Sequence, residues 1–154
     1  MPDVGDLAPD FTLPDERNEP LTLSSLRGRT VMLVFFPLAF SSTCTTELCA
    51  IRDDFDAYRS RDVTVLGISV DSRYSLAAWK REQGYPNTFL SDRWPLGAVI
   101  KAYDAWNEEK GYAHRVTYIV GPDGVIQHKV QDPSDKARDE AGYVIALDRL
   151  PAPR

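Results

Sequence analysis

One uninterrupted apolar run constrains the fold more than any other feature of this sequence. It occupies residues 30–36, reads TVMLVFF, and is rich in β-branched and aromatic side chains. Such a run fits a strand covered on both faces, as in a largely parallel sheet flanked by helices. Pro37 follows directly, and we expect it to end the strand because proline has no amide hydrogen to donate.

Strand and helix patterns alternate along the rest of the chain. Apolar spacing and turn residues predict a strand at 63–70, a helix at 74–83, a short strand at 88–90, a helix at 96–103, paired strands at 116–120 and 125–130, and a closing helix at 136–147. Residues 10–13 and 21–23 flank a turn and predict an N-terminal β-hairpin. The pattern predicts an α/β fold with a central mixed sheet flanked by helices.

The length and charge of the chain limit the number of domains and the classes of partner that we expect. The chain has 154 residues with no internal repeat or linker, so we expect a single domain over residues 1–154. Its net charge is -5 and its charged residues are scattered, which argues against nucleic acid or an anionic membrane as the partner. No stretch approaches the ~18 apolar residues of a membrane span, and the first residues do not resemble a signal peptide. We therefore expect a cytoplasmic protein.

Two cysteines, Cys44 and Cys49, are the candidates for chemistry. A structural disulfide is disfavoured in the cytoplasm, so these residues are either redox-active or buried as apolar side chains. Metal binding is a weaker interpretation, because His114 and His128 do not combine with the cysteines in any zinc spacing. The sequence calls for no metal and no cofactor.

Cys44 lies where a helix is expected to begin. Ser41, Ser42 and Thr43 can cap a helix predicted over residues 43–60, which places Cys44 in its first turn. Free cysteine has a pKa of roughly 8.5, and only the thiolate is a strong nucleophile. A helix N-terminus favours an anion, so this position suits nucleophilic attack, although a small residue packed under the helix start remains the alternative.

The spacing of Pro37, Ser41 and Cys44 matches the motif Pro-x-x-x-Thr/Ser-x-x-Cys, and Glu47 follows three residues later. The segments APDFTL, GISVDS and RVTYIVGPD occur in order along most of the chain. In these features the sequence resembles the peroxiredoxin family. The resemblance implies a thioredoxin-like fold and a thiol-dependent peroxidase that reduces hydrogen peroxide and organic hydroperoxides.

The resemblance also implies a role for each matching residue. Cys44 becomes the peroxidatic nucleophile, Ser41 binds the peroxide, and Pro37 shields the thiolate. Arg115 stabilises the thiolate and polarises the peroxide, while Glu47 holds the arginine in place. Without the resemblance, Arg115 reads equally well as an exposed strand-end residue, and Glu47 as a favourable acid in the first turn of a helix.

Two subgroups of the family are combined in this sequence. The segment PLAFSSTC resembles the one-cysteine group typified by alkyl hydroperoxide reductase E, whereas Cys44 and Cys49 have the Cys-x4-Cys spacing of the bacterioferritin comigratory group. In the second case Cys49 forms a disulfide with Cys44 that a thioredoxin-like or glutaredoxin-like protein reduces. In the first case an external thiol reduces Cys44 directly. The first resemblance suggests a homodimer and the second a monomer.

Two other functions compete with a peroxidase. A thiol-disulfide oxidoreductase normally carries Cys-x-x-Cys, and the four residues between these cysteines disfavour it. A non-enzymatic chaperone or redox-sensing protein could use the same cysteine as a switch. Hydroperoxide consumption distinguishes an enzyme from that second class.

Overall fold

The computed structural model of the chain describes residues 2–131, 138 and 140–149. The strands of the main sheet are β3 (Thr30–Phe35), β4 (Val63–Ser69), β5 (Thr88–Ser91), β8 (Val116–Val120) and β9 (Ile126–Gln131). Two small hairpins are formed by β1 (Thr12–Pro14) with β2 (Pro20–Thr22), and by β6 (Trp106–Asn107) with β7 (Tyr112–Ala113). The α-helices are α1 (Ser42–Asp53), α2 (Phe55–Ser60), α3 (Arg73–Gln83), α4 (Ala98–Ala102) and α5 (Ala141–Asp148), and a 3-10 turn covers Leu23–Leu26.

The main sheet is mixed and has the strand order β5-β4-β3-β8-β9. The central strand β3 runs parallel to β4 and antiparallel to β8, while β4 runs parallel to β5 and β8 antiparallel to β9. This arrangement confirms the α/β architecture and the N-terminal hairpin predicted from the sequence.

The apolar run at 30–36 contributes side chains to the hydrophobic cores on both faces of the sheet. Alternate side chains of β3 enter opposite cores, so Leu33 and Phe35 belong to one cluster and Met32 and Val34 to the other. Helices α1, α2, α3 and α5 contribute to the cluster on the Met32 face. The N-terminal segment, the β1–β2 hairpin and α4 contribute to the cluster on the Leu33 face. Burial of both faces explains why the run contains no polar residue after Thr30.

The predicted helix at 43–60 is wrong as a single element. It is divided into α1 and α2 at Asp54, whose φ of -109° and ψ of 21° are not helical. Aspartate is a poor helix former, and the adjacent Asp53 and Asp54 lie where the negative end of the α1 dipole disfavours carboxylates. The part that carries both cysteines, α1, remains one continuous helix.

Smaller differences concern element ends. The helix predicted at 96–103 is the shorter α4, because Gly97 has a φ of +67° and precedes it in the left-handed conformation. The helix predicted at 136–147 is observed as α5, and Arg138 before it is not helical; residues 136, 137 and 139 lie outside the described part of the chain. The β6–β7 hairpin was not predicted, since two-residue strands leave no detectable periodicity. Within the described residues, no helix is long and apolar enough to cross a membrane.

Candidate active site

Cys44 lies in the first turn of α1, close to the carboxyl end of the central strand β3. Its side chain is fully buried, and its backbone amide donates a hydrogen bond to the Ser41 Oγ atom, 3.3 Å away. Ser41 is thus the N-cap residue of the helix, as its place in the sequence predicts. Because the Ser41 hydroxyl accepts this bond through a lone pair, its own hydrogen can still be donated to another oxygen.

Arg115 directly precedes β8, the strand that pairs with β3. Its Nη1 atom donates to the Cys44 Sγ atom at 3.6 Å, and its side chain is only 11% exposed. The antiparallel pairing of β3 with β8 brings Phe35 opposite Val116 and so carries Arg115 to the end of β3. The structure therefore joins two residues that are 71 positions apart in the sequence.

Glu47 lies one turn after Cys44 and contacts two arginines. One carboxylate oxygen is 3.8 Å from the Arg115 Nε atom. The same carboxylate accepts hydrogen bonds from Arg138: 2.7 Å from its Nε, 3.1 Å from its Nη2 and 2.7 Å from its backbone amide. The Glu47 side chain is 4% exposed, so it is a buried group that links these arginines and not a solvated helix-end acid.

Arg138 is a site residue that the sequence analysis missed. Its Nη1 atom also donates to the Phe35 carbonyl oxygen at 2.9 Å and to the Thr117 Oγ1 atom at 3.0 Å. Burial disfavours the charged guanidinium, but the hydrogen bonds to Glu47, together with the nearby acidic groups of Tyr143, Glu47 and Cys44, outweigh this effect and raise the pKa of Arg138. Arg138 therefore ties the segment before α5 to both α1 and the ends of the central strands.

Replacement of Arg138 tests the strength of this connection. Arg138→Met leaves the buried Glu47 carboxylate without its closest cation, and we expect the free energy of unfolding to fall by about 3 kcal/mol. Urea unfolding monitored by circular dichroism measures the change. The double variant Arg138→Met/Glu47→Gln removes both charges and is expected to recover part of the loss. A single variant as stable as the wild type contradicts this account of the pair.

Cys49 lies on a different side of α1 and is half-buried. Its Sγ atom is 3.5 Å from the Tyr85 hydroxyl and donates to the Gln83 Oε1 atom at 3.7 Å. Burial raises the pKa of Tyr85, and its hydrogen bond with Cys49 raises it further, so the phenol stays protonated. Both cysteines are free thiols. The sulfur of Cys49 thus occupies a polar environment separate from that of Cys44.

The remaining predicted site residue, Pro37, is buried and follows the end of β3. Pro37 and Ser41 both belong to the segment between β3 and α1, so one short loop leads from the central strand to Cys44. Within the described residues, no group of three or more histidine, cysteine, aspartate or glutamate side chains is arranged to hold a metal ion. At this end of the sheet the structure brings together the Cys44 sulfur and the Arg115 guanidinium.

A buried cysteine at the start of a helix, beside an arginine that directly precedes a neighbouring strand, indicates a thiol-redox protein. A profile of the AhpC/TSA family matches residues 4–129. Alkyl hydroperoxide reductase E of Mycobacterium tuberculosis is 39% identical over 99% of this chain and 100% of its own length. Peroxiredoxin Bcp of Escherichia coli is 34% identical over 84% of this chain and 85% of its own length.

Solved structures agree with this similarity. The reduced 2-Cys peroxiredoxin of Plasmodium vivax superposes with a TM-score of 0.84 at 28% identity, covering 94% of each chain. Peroxidoxin BcpB of Mycobacterium tuberculosis superposes with a TM-score of 0.89, covering 99% of this chain and all of that one, and at 24% identity it supports the fold alone. The fold is therefore thioredoxin-like, as the sequence resemblance implies.

The chain belongs to the AhpC/TSA family of peroxiredoxins. As a member of that family it is a thiol-dependent peroxidase, with a hydroperoxide as substrate and a thiol as reductant.

Proposed function

We propose that the chain reduces hydrogen peroxide and organic hydroperoxides at Cys44, and that Cys49 then forms a disulfide with it. The observation that carries the proposal is the 3.6 Å contact between the Arg115 guanidinium and the Cys44 sulfur at the start of α1. The name of the mycobacterial relative, an alkyl hydroperoxide reductase, supports organic hydroperoxides as substrates.

The charges around Cys44 support the thiolate as the reacting form. Arg115 and Arg138 carry two positive charges, and Glu47 between them carries one negative charge. The thiolate is the nucleophilic form of cysteine, and at 3.6 Å the Arg115 guanidinium is placed to donate a charge-assisted hydrogen bond to it.

The reaction begins when the Cys44 thiolate attacks the terminal oxygen of the hydroperoxide. A sulfur–oxygen bond forms, the O–O bond breaks, and the alkoxide or hydroxide leaves and takes up a proton. Arg115 and the Ser41 hydroxyl can donate hydrogen bonds to the two oxygens as charge develops on the leaving one, which stabilises the transition state more than the bound substrate. The products are an alcohol or water and a sulfenic acid on Cys44.

Pro37 and Glu47 take supporting roles. Pro37 is buried in the loop that leads to the helix, which suits a residue that shields the thiolate from water. Glu47 contacts both arginines and so restrains the guanidinium that faces the sulfur. Restraint of this kind lowers the reorganisation needed when the oxygen charge develops.

Resolution by Cys49 requires α1 to open. In a regular helix, residues five apart have Cα atoms roughly 8.6 Å apart. A disulfide needs Cα atoms closer than about 7 Å, so Cys44 and Cys49 cannot join while α1 is intact. We infer that the first turns unwind after oxidation, which Thr45 and Thr46 favour as modest helix formers. The Cys49 thiol then displaces water from the sulfenic acid, and a dithiol protein reduces the disulfide by exchange.

Cys49→Ser tests the resolving step. One equivalent of peroxide is expected to remove both thiols of the wild type and to yield a Cys44–Cys49 bond in the mass spectrum, with faster amide exchange over residues 43–52. Cys49→Ser is expected to stop at a sulfenic acid that external thiols still reduce. If the wild type forms no such bond, the one-cysteine mechanism with an external thiol is the correct one.

The same proposal includes the protein that reduces the disulfide and the oligomeric state of the chain. A thioredoxin-like or glutaredoxin-like protein suits an intramolecular disulfide, and the chain acts as a monomer or a homodimer in the cytoplasm. Reduction of the disulfide by purified thioredoxin or glutaredoxin identifies the partner, and sedimentation of reduced and oxidised protein measures the assembly.

Peroxide consumption with a dithiol reducing system tests the function itself. We expect the wild type to consume hydrogen peroxide and an organic hydroperoxide catalytically. A redox-sensing protein or chaperone would be oxidised once without turnover. A thiol-disulfide oxidoreductase would reduce a disulfide substrate but leave peroxide unchanged, and the separation of the two cysteines by four residues of one helix disfavours it.

A further inference from the structure

We propose that Asp71 is a positioning residue for peroxide reduction, because its carboxylate anchors the loop that delivers Pro37 and Ser41 to Cys44. The inference rests on the peroxidase function proposed for Cys44. Asp71 follows β4 and lies 27 positions beyond Cys44 in the sequence. We define the active-site loop as residues 36–41, between the end of β3 and the start of α1.

A hydrogen bond to Asp71, in the segment after β4, restrains the active-site loop. The Ala39 backbone amide donates to the Asp71 Oδ2 atom at 2.8 Å. On either side of Ala39, the side chains of Leu38 and Phe40 are 40% and 50% exposed, so they pack only partly against the protein. Phe40 also has a φ of +69°, a left-handed conformation that a side-chain-bearing residue adopts only when its surroundings impose it. A polar anchor at Ala39 supplies such a restraint.

Buried hydroxyls fix the Asp71 carboxylate and backbone in turn. Ser69 Oγ, at the end of β4, donates to the same Oδ2 atom at 2.6 Å. Ser91 Oγ, at the end of β5, donates to the Asp71 carbonyl oxygen at 2.6 Å. Both serines are nearly inaccessible to solvent. The sheet therefore fixes the position of Asp71, and Asp71 restrains the loop at Ala39, in addition to the packing of Phe36 and Ala39 in the core.

The anchored amide is close to the residues that meet the peroxide. Ala39 lies two residues before Ser41, whose backbone amide donates to the Leu38 carbonyl oxygen at 3.4 Å and whose hydroxyl caps Cys44. Release of Ala39 thus frees the turn that sets the Ser41 hydroxyl and Pro37. Displacement of a reacting geometry by about 1 Å slows a reaction on the order of a hundredfold.

Asp71→Leu and Asp71→Asn distinguish the effect of the hydrogen bond to Ala39 from the effect of the negative charge. Leucine has the same branching at Cγ but accepts no hydrogen bond, whereas the asparagine Oδ1 atom can still accept from both Ala39 and Ser69. We expect Asp71→Leu to slow the reaction of Cys44 with peroxide at least tenfold, while its alkylation by iodoacetamide, which needs neither Ser41 nor Pro37, changes less than threefold. Asp71→Asn is expected to stay within threefold of the wild type in both reactions.

The outcomes distinguish the positioning role from the function. If the wild type reduces peroxide and Asp71→Leu reduces it equally fast, the positioning role is wrong and the function stands. If the wild type reduces no peroxide, the proposed function itself fails. Equal losses in peroxide reduction and alkylation overturn the proposal in favour of a general disturbance. If Asp71→Leu does not fold, Ser69→Ala/Ser91→Ala removes the hydrogen bonds that hold the Asp71 carboxylate and backbone, and an unchanged peroxide rate in that variant overturns the proposal.

Discussion

Cys44→Ser is expected to abolish hydroperoxide reduction while the fold is retained. Serine is nearly isosteric with cysteine, but its hydroxyl does not ionise at neutral pH and so supplies no nucleophile. The side chain is fully buried in the apolar cluster that also contains Leu48 and Ile51, and serine is close to cysteine in volume, so the exchange changes the packing little. Turnover with hydrogen peroxide and an organic hydroperoxide, in the presence of a dithiol reductant, measures the loss.

Cys49→Ser serves as the matched control, because it also removes one thiol from α1. It is expected to keep the first reaction with peroxide, whereas Cys44→Ser loses it. Circular dichroism and thermal unfolding show that both variants are folded. Substantial turnover by pure Cys44→Ser would remove Cys44 from its assigned role.

Arg115→Met is expected to slow the reaction of Cys44 with peroxide by about a hundredfold to a thousandfold. The variant keeps most of the side-chain volume but removes the cation that lies 3.6 Å from the sulfur. Loss of one preorganised donor to a developing oxyanion commonly costs this much in rate. The second-order rate constant for peroxide-dependent loss of the Cys44 thiol, measured by stopped flow, gives the effect without any contribution from the reductant.

Arg29→Met provides a control for the loss of an arginine as such. Arg29 forms an exposed ion pair with Asp62, and its removal is expected to leave the peroxide rate unchanged. An Arg115→Met rate equal to that of the wild type would show that Arg115 has a structural role only.

Much of the fold could be predicted because buried strands and helices have characteristic patterns of apolar residues in the sequence. The run at 30–36 contributes to two cores, and it could be recognised as a strand covered on both faces without any partner strand being known. Element ends were less predictable. The break at Asp54 and the left-handed Gly97 depend on local backbone conformations that hydrophobic periodicity does not encode.

The candidate site residues near Cys44 could be predicted for a different reason. Pro37, Ser41, Cys44 and Glu47 lie within one turn-and-helix segment, and the resemblance of that segment to the peroxiredoxin motif implies their roles. Arg138 lies 91 positions from Glu47 in a segment without a motif, and only tertiary structure brings the two together. One signal was present in the sequence, since Glu47 falls on the apolar face of α1 beside Leu48 and Ile51. A carboxylate on a buried face requires a cation, but the sequence does not say which one.

Trapping the first oxidation product tests the central claim most directly. Reduced Cys49→Ser protein is mixed with one equivalent of hydrogen peroxide and a sulfenic acid trap such as dimedone, without any reductant, and the peptides are mapped by mass spectrometry. The account predicts that one peroxide is consumed per chain and that the adduct lies on Cys44. Unconsumed peroxide together with a free Cys44 thiol would contradict it.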